Sequence, residues 1–426
     1  MILILAVALF VMVAINVPIA VALGIVGATG HFLNTGELGL YDVPIKMFEG
    51  ATNFPLIAIP LFVLAGALMN TTGISARLID LAMALIGFVR GGLAMVNVAV
   101  SMFFAEISGS AVADVAATGS VMVPAMKKRG YSPAFAAAVT SSSASLAIII
   151  PPSIPMILYA AFADVSVVQL FVAGVLPGVL GGFGMLCVCW WAARRYDLPR
   201  EDAFDLVKLG EKFWAAKYAL LLPVIILGGI FGGLVTATEG AGLAVLAAAV
   251  IGFGIHRDLN LVQFYRALIE GVMQTGAVML LVSTSAVLGL FLTQSQAPQE
   301  FAAWAISAAE NKYWVLAMLN GLLLLLGVFL HGAAAIVLVV PIVLPLALEA
   351  GIDPVHFGLM LTLNLAIGQQ TPPVASVLAT SCSIAKVDMA RATRANLPFI
   401  GILFALLMVV TYVPGFSLFL VEYFYR

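Results

Sequence analysis

The sequence predicts an all-α polytopic membrane protein made of two inverted structural repeats, each with a re-entrant hairpin and a broken helix. Three observations predict it. The composition is 63% hydrophobic and 9% charged over 426 residues, where a soluble chain carries about 25% charged residues. Residues 124–153 and 345–374 share one proline and glycine pattern at a constant offset of 221: Pro124 with Pro345, Gly130 with Gly351, Pro133 with Pro354, Pro151-Pro152 with Pro372-Pro373, and Pro177 with Pro398. Loops matched by that offset carry opposite charge. Lys127-Lys128-Arg129 faces Leu348-Glu349-Ala350, and Arg77 and Arg90 face Glu300 and Glu310.

Basic loops mark the cytoplasmic side. If each basic loop is inside and each acidic loop outside, only Lys46, Lys312 and Arg426 of the 19 Lys and Arg fall outside. The halves then have inverted topology, with both termini outside. Apolar runs at 220–234, 240–254 and 397–410 approach the roughly 20 residues that span a bilayer. The alternation of barrel strands is absent.

In the first repeat, 1–195, scaffold helices come first (1–15, 17–34 and 50–72). The apolar start lacks a basic n-region and reads as a retained helix. A surface arm (75–90) and a re-entrant hairpin (93–127) follow, the hairpin because Gly109 and its small polar neighbours interrupt apolar sequence. The broken helix (132–162) is interrupted by Pro151-Pro152, and a last crossing (174–194) closes the half. Residues 196–217 form a cytoplasmic amphipathic linker carrying Arg200, Lys208, Lys212 and Lys217, whose 204–214 stretch suits a membrane surface. The second repeat, 218–426, follows the same order: scaffold 218–293, arm 297–311, hairpin 314–348, broken helix 354–384, last crossing 396–415.

Proline-broken apolar segments in matching positions point to the binding site of a secondary transporter. Irregular backbone at membrane depth is tolerated only where it is buried in protein or lines a wet cavity. The first hairpin tip, Glu106 to Asp114, contains Ser108, Gly109 and Ser110. The first broken helix adds Ser141, Ser142 and Ser143, then Pro152 and Ser153. Hydroxyls and freed carbonyls suit a hard cation such as Na⁺, and half-helix N-termini suit an anion. The competing reading is close helix packing through small residues. The second half supplies Asn364, Gly368, Gln369, Gln370, Thr371 and Pro373, and a hairpin tip with His331 and Gly332. His331, aligned with Ser110, is either a structural residue or a ligand at the gate. Asp114 is a helix cap or a ligand. With no Lys or Arg in the expected core, an anionic substrate rests on helix N-termini, amides and hydroxyls.

A net charge of −2 gives no electrostatic case for nucleic acid. There is no GxxxxGK[ST] or HExxH motif, so neither a nucleotide site nor a metalloprotease is indicated. Cys187 and Cys189 read as core residues beside Trp190 and Trp191.

At these residues the chain resembles the large membrane (permease) subunit of TRAP transporters, the tripartite ATP-independent periplasmic carriers. The stretches GSAVADVAATG, VPAMKKRGYSPAFAAAVT, IIPPSIPMILYA, GIDPVHFGLM and NLAIGQQTPPV carry the resemblance. It implies an elevator-type protein of the bacterial inner membrane, coupled to Na⁺ and importing an organic anion such as a C4-dicarboxylate, sialic acid or a sugar or keto acid. It implies two partners, a small four-helix membrane subunit and a periplasmic substrate-binding protein, beside the membrane lipid. Its Na⁺ sites fall near Ser108, Gly109, Ser110 and Ser141 to Ser143, and near His331, Gly332, Gly368 and Thr371. Asp114, Pro152, Ser153, Asn364, Gln369, Gln370 and Pro373 stand as substrate candidates. The chain departs from the family at His331, near which an acid is common, and at Ala375, where glycine is common. The alternative is a self-sufficient symporter or antiporter of the same fold that needs no binding protein.

Overall fold

The computed structural model describes residues 2–15, 17–200, 203–309 and 311–425; the side chains of residues 2, 3, 14 and 106–108 lie outside the description. Among the described residues every regular element is helical. The first half holds α1 (Ile2–Ala14), α2 (Ile19–Thr35), α3 (Asp42–Ala51), α4 (Ala58–Thr71), α5 (Ile74–Ile86), α6 (Gly92–Ser108), α7 (Ala111–Lys128), α8 (Pro133–Ala144), α9 (Ile154–Ala163) and α10 (Val167–Arg195). The second holds α11 (Leu206–Phe231), α12 (Ala237–Val250), α13 (Leu261–Gln294), α14 (Ala297–Ala308), α15 (Lys312–Phe329), α16 (Gly332–Glu349), α17 (Pro354–Gly368), α18 (Ser376–Ala385), α19 (Met389–Tyr412) and α20 (Pro414–Tyr425). Nine helical stretches among the described residues are long and apolar enough to cross a membrane.

Cap chemistry sets the helices that matter most. Before α8, Ser132 accepts a hydrogen bond from the Phe135 N–H, and Pro133 fills the first turn. Before α17, Asp353 accepts from Val355 and His356, and Pro354 fills the same position. A proline there costs nothing, because the first-turn N–H has no helical acceptor. Both helices stop short of a Pro-Pro pair, which cannot continue the backbone ladder. After α8 one 3₁₀ turn (Ser145–Ile148) leads to Pro151-Pro152; after α17 the chain turns through Thr371 to Pro372-Pro373. Both Pro-Pro bonds are cis.

Several boundaries differ from the sequence expectation. Residues 206–217 of the expected linker are the first turns of α11: Asp205 caps the helix by accepting from Val207 and Lys208, and it continues without interruption to Phe231. The expected helix 50–72 is preceded by α3 and split from it at Thr52 to Pro55, whereas its counterpart α13 runs unbroken for 34 residues from Leu261. The offset places Gly276 opposite Pro55, so the second half lacks the proline that breaks the first. The last crossings start earlier than 174 and 396, because Ser166 and Asp388 cap α10 and α19. The terminal helix α20 was not anticipated; Pro414 opens it after Val413.

The helices pack in two groups. In one, α2, α3 and α4 lie on α13, and α12 lies on α4. A Cβ on Gly27 would sit 2.9 Å from the Leu288 backbone nitrogen, so α2 and α13 cross nearly backbone to backbone. In the other group, α6 and α7 pack on α8, α15 on α17, and α10 and α19 flank them. The halves interleave here: α18 packs on α7 and α8, and α16 on α9.

One polar clasp ties the halves at a helix-end surface. Arg77 Nη1 donates to Asp258 Oδ2 at 2.9 Å, and the Gly73 N–H donates to the same oxygen at 3.0 Å. His256, two residues before Asp258, meets the Tyr218 ring edge-on at 6.1 Å. Burial, then the Arg77 charge, holds the His256 imidazolium below its ordinary range, with Asp258 opposing. The folded pKa lies below the unfolded one, so the unfolded chain takes up the proton first. The stabilisation is therefore complete above about pH 6.5 and fades as pH falls through that value. His256→Gln is expected to flatten the acid side of a melting temperature against pH curve between about pH 7 and 5. An unchanged slope would contradict this.

Candidate functional site

The first hairpin tip is pressed onto the first break. Gly109 ends α6 at φ +56°, in the left-handed region. A Cβ there would lie 3.0 Å from the Ile154 nitrogen and 3.4 Å from the Pro152 carbonyl oxygen. Glycine is thus required twice, for its dihedral and for close approach. Ser110 then caps α7, accepting from the Ala113 N–H at 3.5 Å. The Ser108 side chain falls outside the described residues.

At the first break the hydroxyls mostly serve the backbone. Ser141 donates to the Ala138 carbonyl at 3.1 Å, Ser145 to Ser141 at 3.2 Å, and Ser153 to Ile148 at 2.8 Å. Ser143 donates to the Ser101 hydroxyl on α6 at 3.0 Å. Ser142 donates to the Asn396 side-chain oxygen on α19. Each hydroxyl uses its proton in these bonds, which leaves oxygen lone pairs for a cation.

The second junction has the same parts with different chemistry. His331 precedes α16, and its Nδ1 accepts from the Gly332 N–H at 2.9 Å. A Cβ on Gly332 would meet Gln369 Nε2 at 3.1 Å, so this tip also touches its own break. Gln369 donates to the Leu365 carbonyl at 3.3 Å, and Thr371 to Ile367 at 2.9 Å. Gly368 serves a helix crossing: a Cβ there would lie 2.6 Å from Gly327 Cα and 2.7 Å from its carbonyl oxygen, on α15.

Gln370 joins the two breaks. Its Nε2 donates to the Ser141 carbonyl at 2.6 Å and also to the Ser145 hydroxyl. Its Oε1 accepts from Asn396 Nδ2 at 3.0 Å. Gln370, Asn396, Ser141, Ser142 and Ser145 are all fully buried. One amide therefore links the turn after α17, both sides of the α8 end, and α19.

Three buried oxygen groups face this region without hydrogen-bond donors among the described residues: both Asp114 carboxylate oxygens, Asn97 Oδ1 and Asn364 Oδ1. The Ser101 hydroxyl lies beside Asp114. Asp114 is the only fully buried Asp, Glu, Lys or Arg among the described residues. Asn97 donates to Thr140 at 2.7 Å, and Asn364 to Asn320 at 2.7 Å. Orphaned acceptors in a dry interior cost about 1–3 kcal/mol each unless something fills them, and a hard cation is the partner their chemistry suits. The N-termini of α7, α9, α16 and α18 all begin at a tip or a break, where their partial positive charge suits an anion.

The junctions differ in access. Pro151, Pro152 and Ser153 are buried, whereas Pro372, Pro373 and Val374 are exposed, as is His331. Ala375, next in line, adopts φ +45° and opens α18, a conformation that alanine resists and glycine accepts. Of the residues singled out from sequence, Gly109 and Pro152 meet at one junction and Gly332 and Gln369 at the other, while Ser141, Ser142 and Gln370 form the bridge. Asn97, Ser101, Asn320 and Asn396 were not singled out. Their signal was a polar side chain inside an apolar helix, which demands a partner at membrane depth.

Residues 6–416 match the family model of the tripartite ATP-independent periplasmic transporter, DctM component. The chain belongs to the DctM family. It is 40% identical to the C4-dicarboxylate TRAP transporter large permease protein DctM of Pseudomonas aeruginosa, over 93% of each chain. It is 36% identical to the 2,3-diketo-L-gulonate TRAP transporter large permease protein YiaN of Escherichia coli, over 94% of each. It is 38% identical to the isethionate TRAP transporter permease protein DctMQ of Oleidesulfovibrio alaskensis over 95% of this chain, and spans 64% of that longer relative. Its fold is similar to that of the Alcanivorax borkumensis YdaH transporter, with a TM-score of 0.67, 14% identity and 91% of each chain covered. As a DctM-family permease, the chain is a multi-pass membrane transport subunit and not an enzyme.

Proposed function

We propose that this chain is the large permease subunit of a Na⁺-driven uptake system for an organic acid anion. The observation that carries the proposal is the bridge at Gln370 between two helix breaks, each abutted by a hairpin tip. Around it stand unpartnered oxygens for a cation and four helix N-termini for an anion. Relatives named for C4-dicarboxylate, sialic acid and 2,3-diketo-L-gulonate support the substrate class.

Na⁺ is cargo here, held by Ser110 and the Gly109 tip with Ser141, Ser142 and Ser143 in one half, and by Gly332, Gly368 and Thr371 in the other. Asp114 and Asn364 supply the charged and amide oxygens closest in chemistry to that need, and Gln369 and Ser153 line the anion's approach. The helices α6–α9 and α15–α18 form the moving part, sliding as an elevator against α2–α4 and α11–α13. The buried first break beside the exposed second one is the asymmetry expected of a carrier open on one side. The constant 221-residue offset between Pro-Pro breaks, and the matched starts of α7 and α16 and of α8 and α17, support an inverted duplication. The protein resides in the bacterial inner membrane with both termini periplasmic. A small four-helix membrane subunit and a periplasmic binding protein complete the system; the tripartite description of the family favours them over a self-sufficient carrier.

Thr371→Ala and Ser110→Ala are expected to raise the Na⁺ concentration for half-maximal uptake severalfold, roughly 3–10-fold for loss of one hydroxyl contact, with melting temperature little changed in Thr371→Ala and lowered in Ser110→Ala, which also loses the α7 cap. Unchanged Na⁺ titration in both variants would remove these sites from the proposal.

A further inference from the structure

We propose that the cavity between the α5–α6 turn and the end of α10 holds the headgroup phosphate of an anionic phospholipid. The cavity has a volume of about 390 Å³ and is lined by Arg90, Arg194 and Arg200 together with Phe88 and Trp190. Three arginines lining one cavity are a concentration of positive charge in a chain with 9% charged residues. Its walls are fixed. Gly91, at φ +73°, donates its N–H to the Pro199 carbonyl at 3.0 Å. A Cβ on Gly91 would lie 2.5 Å from that of Ala193, so the turn is seated directly on α10. Arg194 stacks on the Trp190 ring at 3.8 Å, and Phe88 meets Phe204 edge-on at 5.1 Å. Arg90 pairs with Asp197 at 3.0 Å. Asp197 is one carboxylate beside three arginines; Glu201 and Asp202 lie outside the described residues.

Depth and chemistry identify the occupant. The cavity lies where α5 and α10 end, at the level where tryptophan and arginine meet headgroups. Planar guanidiniums take phosphate oxygens in paired hydrogen bonds. Phe88 and Trp190 offer apolar surface to the glycerol and first acyl carbons, which a free phosphate does not have. The lipid would touch both the turn that opens the first hairpin and the crossing that closes the first half.

The test uses the full chain, with its small subunit where copurified, stripped of lipid in neutral detergent. Melting temperature and native mass spectrometry are measured with phosphatidylglycerol, phosphatidylcholine or inorganic phosphate. Phosphatidylglycerol is expected to raise the melting temperature and remain bound, and the other two are not. Arg194→Gln with Arg200→Gln, which keeps the Arg90–Asp197 pair, is expected to bind phosphatidylglycerol roughly 25-fold more weakly. The control pair Arg266→Gln with Arg391→Gln is expected to bind as the parent does. If the double variant does not fold, Arg200→Gln alone is expected to weaken binding roughly fivefold. A shift with inorganic phosphate equal to that with phosphatidylglycerol would overturn the lipid assignment. Equal binding of phosphatidylcholine, or equal loss in the control pair, would overturn the site.

Discussion

Gly368→Ala is expected to destabilise the protein by about 3 kcal/mol, the upper part of the range for overpacking a close contact. The added methyl would land on backbone atoms of Gly327, with Cα at 2.6 Å. Backbone cannot rotate aside as a side chain can, so α15 and α17 must separate. That separation would also carry Asn364 away from Asn320, now linked at 2.7 Å. The effect should appear as a lower melting temperature and as lost uptake at every Na⁺ concentration. Gly321→Ala on α15, the helix that carries Gly327, is the control: nothing lies within 4 Å of a Cβ there, and alanine is the better helix former. A Gly368→Ala protein with parental stability and altered Na⁺ affinity would show that the glycine serves the ion and not the crossing.

Gln370→Leu is expected to cost about 2–4 kcal/mol and to abolish uptake. The side chain is fully buried, and its removal leaves the Asn396 amide without its acceptor and the Ser145 hydroxyl without its donor. Each buried polar group left unpaired costs about 1–3 kcal/mol. Asn396→Leu should cost a similar amount, and the double variant less than the sum, because the pair shares one network. Thermal unfolding of the two single variants and the double variant measures the coupling. Strict additivity would mean that the bridge does not hold the breaks together.

Much of this was legible from sequence. An all-helical membrane protein follows from composition, and the interruptions at Pro151-Pro152 and Pro372-Pro373 follow from proline's missing N–H. Gly109 reads as a tip because small polar residues at membrane depth need a reason to be there. The partners of Gln370 were not legible. An amide in an apolar segment demands hydrogen bonds, but nothing local says that Ser141, 229 positions away, supplies the acceptor. Gly368 was expected at an ion site; the crossing with Gly327 could only be seen once α15 and α17 were placed side by side. The continuity of α11 was hidden by composition, since its polar first turns read as a surface segment while Asp205 caps the whole helix. Asp114 stood out as an intramembrane acid, but its lack of a donor depends on packing that periodicity does not encode.

The most direct test is uptake into proteoliposomes containing the complete complex, with binding protein and bound organic acid added outside. An inward Na⁺ gradient is predicted to drive accumulation, and its dissipation by a Na⁺ ionophore to abolish it. Equal accumulation with and without the Na⁺ gradient would contradict the account.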